Sequence, residues 1–150
     1  MVKARTQRSR AIAEIMDGLP APRAAAGDEH TEQSRFCRWL DTWLLAAGGR
    51  YHAVVNEGRR SAGERARASQ QGLRKGVPDL YMFHPAVGLI ALEFKRADGC
   101  ASDVRPEQRE WLAFIGQAMG ERFHAAAVFG CTAAQEHVRA LFGARGLALR

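Results

Sequence analysis

With 150 residues, 47% of them hydrophobic, the chain is long enough to bury one core without disulfide or metal staples. No apolar run approaches the length of a membrane span, and the basic start at residues 1–10 lacks the apolar stretch of a secretion signal, so a cytosolic protein with no membrane partner is expected. A net charge of +6 and a pI near 9.9 point to a polyanionic partner, although a solvated surface can carry the same excess.

Residues 1–27 read as a basic arm followed by a Pro-, Ala- and Gly-rich linker, and residues 28–150 as one folded domain. From Asp28, a suitable N-cap, the pattern predicts a helix to about residue 47, ending at Gly48-Gly49, with the apolar stripe Phe36, Leu40, Trp43, Leu44 and Ala47. Glu32 falls one turn before Phe36, at the head of that inward stripe, which is an unusual place for a carboxylate. Residues 51–56 read as a strand and residues 61–71 as a short helix. Between Glu57 and Lys75 six cations, Arg59, Arg60, Arg65, Arg67, Arg74 and Lys75, face two acids. Two apolar strands follow at 77–84 and 89–95, separated by Pro85-Ala86-Val87-Gly88, which predicts a hairpin. Pro106 suits the first turn of a helix that buries Trp111, Leu112, Ile115 and Met119 and puts Gln108 on the same face. Residues 122–129 form a fourth strand, and Thr132 with Gln135 reads as a capping box for a last helix through Phe142, stopped by Gly143. The order predicts an α/β domain with a mixed central sheet flanked by helices.

The chemistry concentrates near the middle. Nineteen arginines stand against three lysines (Lys3, Lys75 and Lys95), so a lysine inside an apolar strand calls for a reason. Glu93 and Lys95, two apart on one strand, project from the same face as Ala91, while Ile90, Leu92 and Phe94 project from the other. Asp79, after Pro78, is brought alongside by the hairpin. Two carboxylates facing one ammonium suit phosphodiester hydrolysis: hard oxygen ligands attract Mg²⁺ or Mn²⁺, which activates water, and a lysine stabilises charge on the phosphate. The backbone carbonyl of Phe94 is a natural further ligand, and Glu32 and Gln108 could complete the site.

Taken singly, each element has an ordinary reading. Glu93 with Lys95 could be an exposed cross-strand ion pair, Pro78-Asp79 a turn leading into a strand, Glu32 a first-turn acid favoured by the helix dipole, and Gln108 a cap. Cys37, Cys100 and Cys131 are too widely spaced for a zinc site and fit reduced thiols, and the five histidines lack metal spacing. There is no GxxxxGK[ST], HExxH or GxSxG, so no nucleotide cofactor, zinc protease or esterase chemistry is expected.

The succession Glu32, Asn56-Glu57-Gly58-Arg59-Arg60, Gly76-Val77-Pro78-Asp79-Leu80, Glu93-Phe94-Lys95 and Pro106-Glu107-Gln108 resembles the stand-alone VRR-NUC group of the PD-(D/E)XK nucleases, over about residues 29–130. The resemblance implies the αβββαβ core of the restriction-endonuclease-like fold. It implies metal binding by Glu32, Asp79 and Glu93, catalysis assisted by Lys95, and a place for Gln108 in the site. It further implies an Mg²⁺- or Mn²⁺-dependent endodeoxyribonuclease, homodimeric and acting on branched DNA such as four-way junctions, like similar phage and bacterial enzymes. Two other readings compete: a non-catalytic DNA-binding module using the basic stretch from Arg59 to Lys75 and the arm, and a scaffolding subunit with a relic site. Metal-independent, salt-sensitive binding would mark the first, and absence of cleavage on every DNA form the second.

Overall fold

In the computed structural model of the chain, which describes residues 27–54, 61–118 and 120–149, the first element begins where Asp28 can cap it. The Asp28 carboxylate accepts from the Thr31 N–H at 2.7 Å, satisfying one orphan donor of the first turn. Helix α1 spans Glu29–Asp41 and buries Phe36 and Leu40. It stops short of the expected residue 47, for a local reason. The Thr42 hydroxyl donates to the Trp39 carbonyl at 2.6 Å, and the N–H groups of Thr42 and Trp43 reach back three residues instead of four. The helix thus tightens into turns that end at Gly48, whose φ of 84° suits a residue without a side chain.

Strands β1 (Arg50–Ala53), β2 (Leu80–His84), β3 (Gly88–Lys95) and β4 (Phe123–Phe129) form one sheet in that order. The β1–β2 and β2–β3 pairs are antiparallel and β3–β4 is parallel, which makes the mixed sheet predicted from the hairpin and the later helix. Between β1 and β2 lies α2 (Ala62–Gln70), opened by a capping box of Ser61 and Glu64. β2 starts three residues later than expected, because Pro78 has no N–H for a ladder. Residues 55 and 56 of the expected first strand lie outside the described residues, as does the arm at 1–26.

A 3₁₀ turn at Ala101–Asp103 leads into α3 (Pro106–Ala118), which carries the chain from β3 to its parallel neighbour β4. Gln108, Leu112 and Ile115 are buried as expected; Trp111 is only half-buried, and Met119 lies outside the described residues. Helix α4 (Gly130–Gly143) closes the domain. The expected Thr132–Gln135 capping box is not what starts it. α4 begins three residues earlier, with Phe129 as its N-cap, and the Cys131 N–H in its first turn donates at 2.8 Å to Glu32 of α1, a carboxylate 99 positions away.

α1 and α4 cover one face of the sheet, where Phe36, Leu40, Leu92, Phe94, Val138 and Phe142 share a core. α3 covers the other, over Val104, Leu112, Ala127 and Phe129. No helix among the described residues is long and apolar enough to cross a membrane.

Candidate active site

The site is built on the end of β3. Leu80 pairs with Leu92 across the β2–β3 ladder, so continuing the register by one residue sets Asp79 opposite Glu93. Directly opposed residues share a face with closely spaced Cβ atoms, so two carboxylates meet there. One step further, Phe94 faces Pro78, which cannot donate. Pro78 thus has no N–H to offer the Phe94 carbonyl, and the Phe94 N–H donates to the Asp79 side chain, at 2.8 Å to Oδ2. Asp79 is further tethered through its backbone carbonyl, which accepts from the Val54 N–H at 2.7 Å and from Gln33 Nε2 at 3.4 Å.

Glu93, Lys95 and Gln108 are 1%, 5% and 2% exposed, which rules out the exposed ion pair as the reading of the Glu-x-Lys strand. Lys95 Nζ donates to Glu93 Oε1 at 2.8 Å, and Gln108 Nε2 donates to the same oxygen. The orientation of that amide follows from its other end, because Gln108 Oε1 accepts from the Arg105 N–H at 2.8 Å. Glu93 Oε2, in contrast, is buried and finds no hydrogen-bond donor. Burial, and then the neighbouring Asp79 carboxylate, push the Glu93 carboxyl up to about 8 against the pull of Lys95. Burial likewise raises Asp79, opposed by the Phe94 N–H and Lys95. A pair of acceptors with too few donors is a place for a proton or a cation.

The structure directs Glu32 elsewhere than the sequence pattern suggested. It is 4% exposed, but its Oε1 accepts from the Gly27 N–H at 3.1 Å and Arg35 at 3.3 Å, and its Oε2 from the Cys131 N–H. The α1 carboxylate that meets the lysine is Glu29, at 3.6 Å from Lys95 Nζ. Sequence reasoning missed it, although Glu29, Gln33, Phe36 and Leu40 lie on one helical stripe. Among the described residues no three His, Cys, Asp or Glu side chains form a ready metal cluster.

Of the basic residues expected to contact DNA, Arg67, Arg74 and Lys75 are exposed. Arg74 folds back onto the Ser69 and Leu73 carbonyls at 2.8 and 3.1 Å. Arg59 and Arg60, and the side chain of Arg65, lie outside the described residues. The three cysteines are free thiols.

A four-stranded mixed sheet between helical layers, with an aspartate opposite a Glu-x-Lys strand, defines an α/β domain of the PD-(D/E)XK, restriction-endonuclease-like kind. The VRR-NUC domain family matches residues 21–130, and the chain belongs to that family. No curated protein and no solved structure matches it. Membership gives the coarse function: nuclease-type processing of DNA.

Proposed function

We propose that this chain is a divalent-cation-dependent endonuclease that hydrolyses phosphodiester bonds in DNA. The observation that carries the reading is Glu93, a buried carboxylate with one oxygen held by Lys95 and Gln108 and the other without a donor, beside Asp79. The donor set suits Mg²⁺ or Mn²⁺, because Mg²⁺ is commonly held by one or two carboxylates and keeps several of its waters. Asp79 and Glu93 would hold the ion, with the Phe94 carbonyl, which faces a proline, as the backbone ligand. Bound there, a divalent cation polarises a phosphate oxygen and lowers the pKa of a water.

The remaining work falls to the chain's own groups. Lys95, pinned between Glu93 and Glu29, presents its ammonium where negative charge builds on the phosphate. Gln108 holds the Glu93 carboxylate in one orientation through the Arg105 N–H. Glu29 replaces Glu32 as the α1 carboxylate of the site, and Glu32 anchors the start of α4 instead. Lys75, Arg67 and Arg74, with Arg59, Arg60 and Arg65, supply contacts to the DNA backbone. Selectivity for branched DNA and a homodimer carrying two sites are further parts of the proposal, supported by the likeness to stand-alone VRR-NUC enzymes.

The test is cleavage of labelled duplex, flap, splayed and four-way DNA with Mg²⁺ or Mn²⁺, beside Asp79→Ala and Lys95→Ala. Cation-dependent cutting lost in both variants is the expected result. Cutting that persists in both would remove these residues from the chemistry, and salt-sensitive binding without any cutting would favour the DNA-binding module. Light scattering checks the dimer.

A further inference from the structure

Resting on the nuclease reading, we propose that the groove beside α3 is a stacking site for one unpaired base of the DNA substrate, next to the scissile phosphate. The groove, of about 360 Å³, is lined by Lys75, Glu107, Glu110, Trp111 and Phe114. On α3 the positions 107, 110, 111 and 114 form a single outward stripe, one turn of helix being the spacing between them. Phe114 is 54% exposed, which by itself would be unremarked on any surface. Its setting is what matters. The Trp111 and Phe114 rings stand edge to face at 89° with centroids 6.2 Å apart, so they form a floor and a wall.

The indole is not free to turn. Trp111 Nε1 donates to the Lys75 carbonyl at 3.0 Å. Gly76 lets the same loop approach α3: it has φ 77°, and a Cβ there would lie 2.5 Å from the Glu107 carbonyl carbon. The groove therefore lies between two segments whose continuations supply the candidate site: the loop runs on to Asp79, and Gln108 lies one turn before Trp111. In the proposed complex, a strand of DNA with its phosphate at Asp79 and Glu93 runs on past α3, and its neighbouring nucleotide stacks on the rings.

The charges select the part of the nucleotide. Glu107 and Glu110 repel phosphate and sugar-phosphate backbone, but their oxygens accept hydrogen bonds from the amino groups of cytosine, adenine or guanine. Lys75 at the rim offers one cation to the phosphate of the same nucleotide. Aromatic faces accept any base, and a base can reach them only when it is out of the duplex stack. The site consequently confers preference for DNA with unpaired nucleotides near the cut, not for a base sequence.

The experiment uses the full chain carrying Asp79→Asn, so that DNA stays whole, and a duplex with one unpaired 2-aminopurine beside the branch point. Binding should quench the 2-aminopurine fluorescence. Phe114→Ala should relieve the quench and weaken binding of this duplex by about 5- to 100-fold, with Phe114→Trp restoring both. In the otherwise unaltered enzyme, Phe114→Ala should lower the ratio of cleavage of unpaired-base DNA to fully paired DNA by a similar factor. A quench unchanged by Phe114→Ala overturns the proposal. So does a change of oligomeric state in that variant by sedimentation, which would make the face a contact between copies of the chain. If the chain cuts no DNA but the Phe114-dependent quench is present, the base site stands and the endonuclease reading falls.

Discussion

Strand β3 presents Ile90, Leu92 and Phe94 to one side of the sheet and Ala91, Glu93 and Lys95 to the other, and all six are between 0% and 5% exposed. The apolar side packs on Phe36 of α1, with the Phe36 and Phe94 rings 5.4 Å apart, and on α4. There, burial stabilises the fold, by about 1.5–3 kcal/mol for each large side chain removed from water. The other side removes a carboxylate and an ammonium from water at the same degree of burial, and the geometry returns only part of the cost. Glu93 is left with one oxygen unsatisfied and its carboxyl pushed up to about 8. Equal burial on one strand thus serves the fold on one side and, under the proposed function, chemistry on the other, and a natural chain retains such a conflict where function requires it.

The comparison breaks if the two sides respond alike to substitution. The largest expected effect is on activity: Asp79→Asn should lower cation-dependent cleavage by about 10³-fold, roughly 4 kcal/mol of transition-state stabilisation. Its melting temperature should not fall, since the amide oxygen can still accept from the Phe94 N–H and the repulsion with Glu93 is relieved. A drop in stability comparable to a core deletion would mean that Asp79 belongs to the fold and not to the chemistry.

Phe94→Ala, one residue from Glu93 and on the opposite side, should cost about 3–5 kcal/mol in urea unfolding, because the cavity lies between β3 and α1. The two sides should also separate in their response to cations. Excess Mn²⁺ should stabilise the wild-type chain against unfolding, by about 2.7 kcal/mol at a hundred times its Kd, and a chelator should reverse it. Glu93→Gln should abolish that shift and Phe94→Leu should keep it; an unchanged shift in Glu93→Gln would move the cation elsewhere.

The smallest effect concerns pH in the layer over the apolar side. His137 of α4 has its Nε2 buried without a partner, and burial, aided by His124, pushes the imidazole down to about 4 from an ordinary 6.5. The unfolded chain takes up a proton below 6.5 and the folded chain only below 4. The ring's contribution is therefore intact above 6.5 and lost as the pH falls toward 4. Urea midpoints should fall between pH 7 and 5.5 by the equivalent of about 1 kcal/mol, and His137→Leu should flatten that slope. A slope unchanged by the substitution would place the acid sensitivity in another group.

What could be read from the chain alone is what depends on neighbours in sequence. Alternation with period two set the two sides of β3; the Pro85–Gly88 turn and the stripe after Pro106 gave the hairpin and the parallel return. Asp79, Glu93, Lys95 and Gln108 were legible for the same reason, since each stands at a defined step of a strand or helix whose direction the pattern reveals. Tertiary structure alone decided which of two acids on α1 meets the lysine. Glu29 and Glu32 are one turn apart and equally suited to a helix start, and the choice depends on contacts with Lys95 and with Cys131, 66 and 99 positions away. The early end of α1, the start of α4 at Gly130 and the pairing of the Trp111 ring with the Lys75 carbonyl were hidden too. Each rests on a hydrogen bond or a close approach that exists only once the layers are packed, and no local pattern records where a distant donor will come to lie.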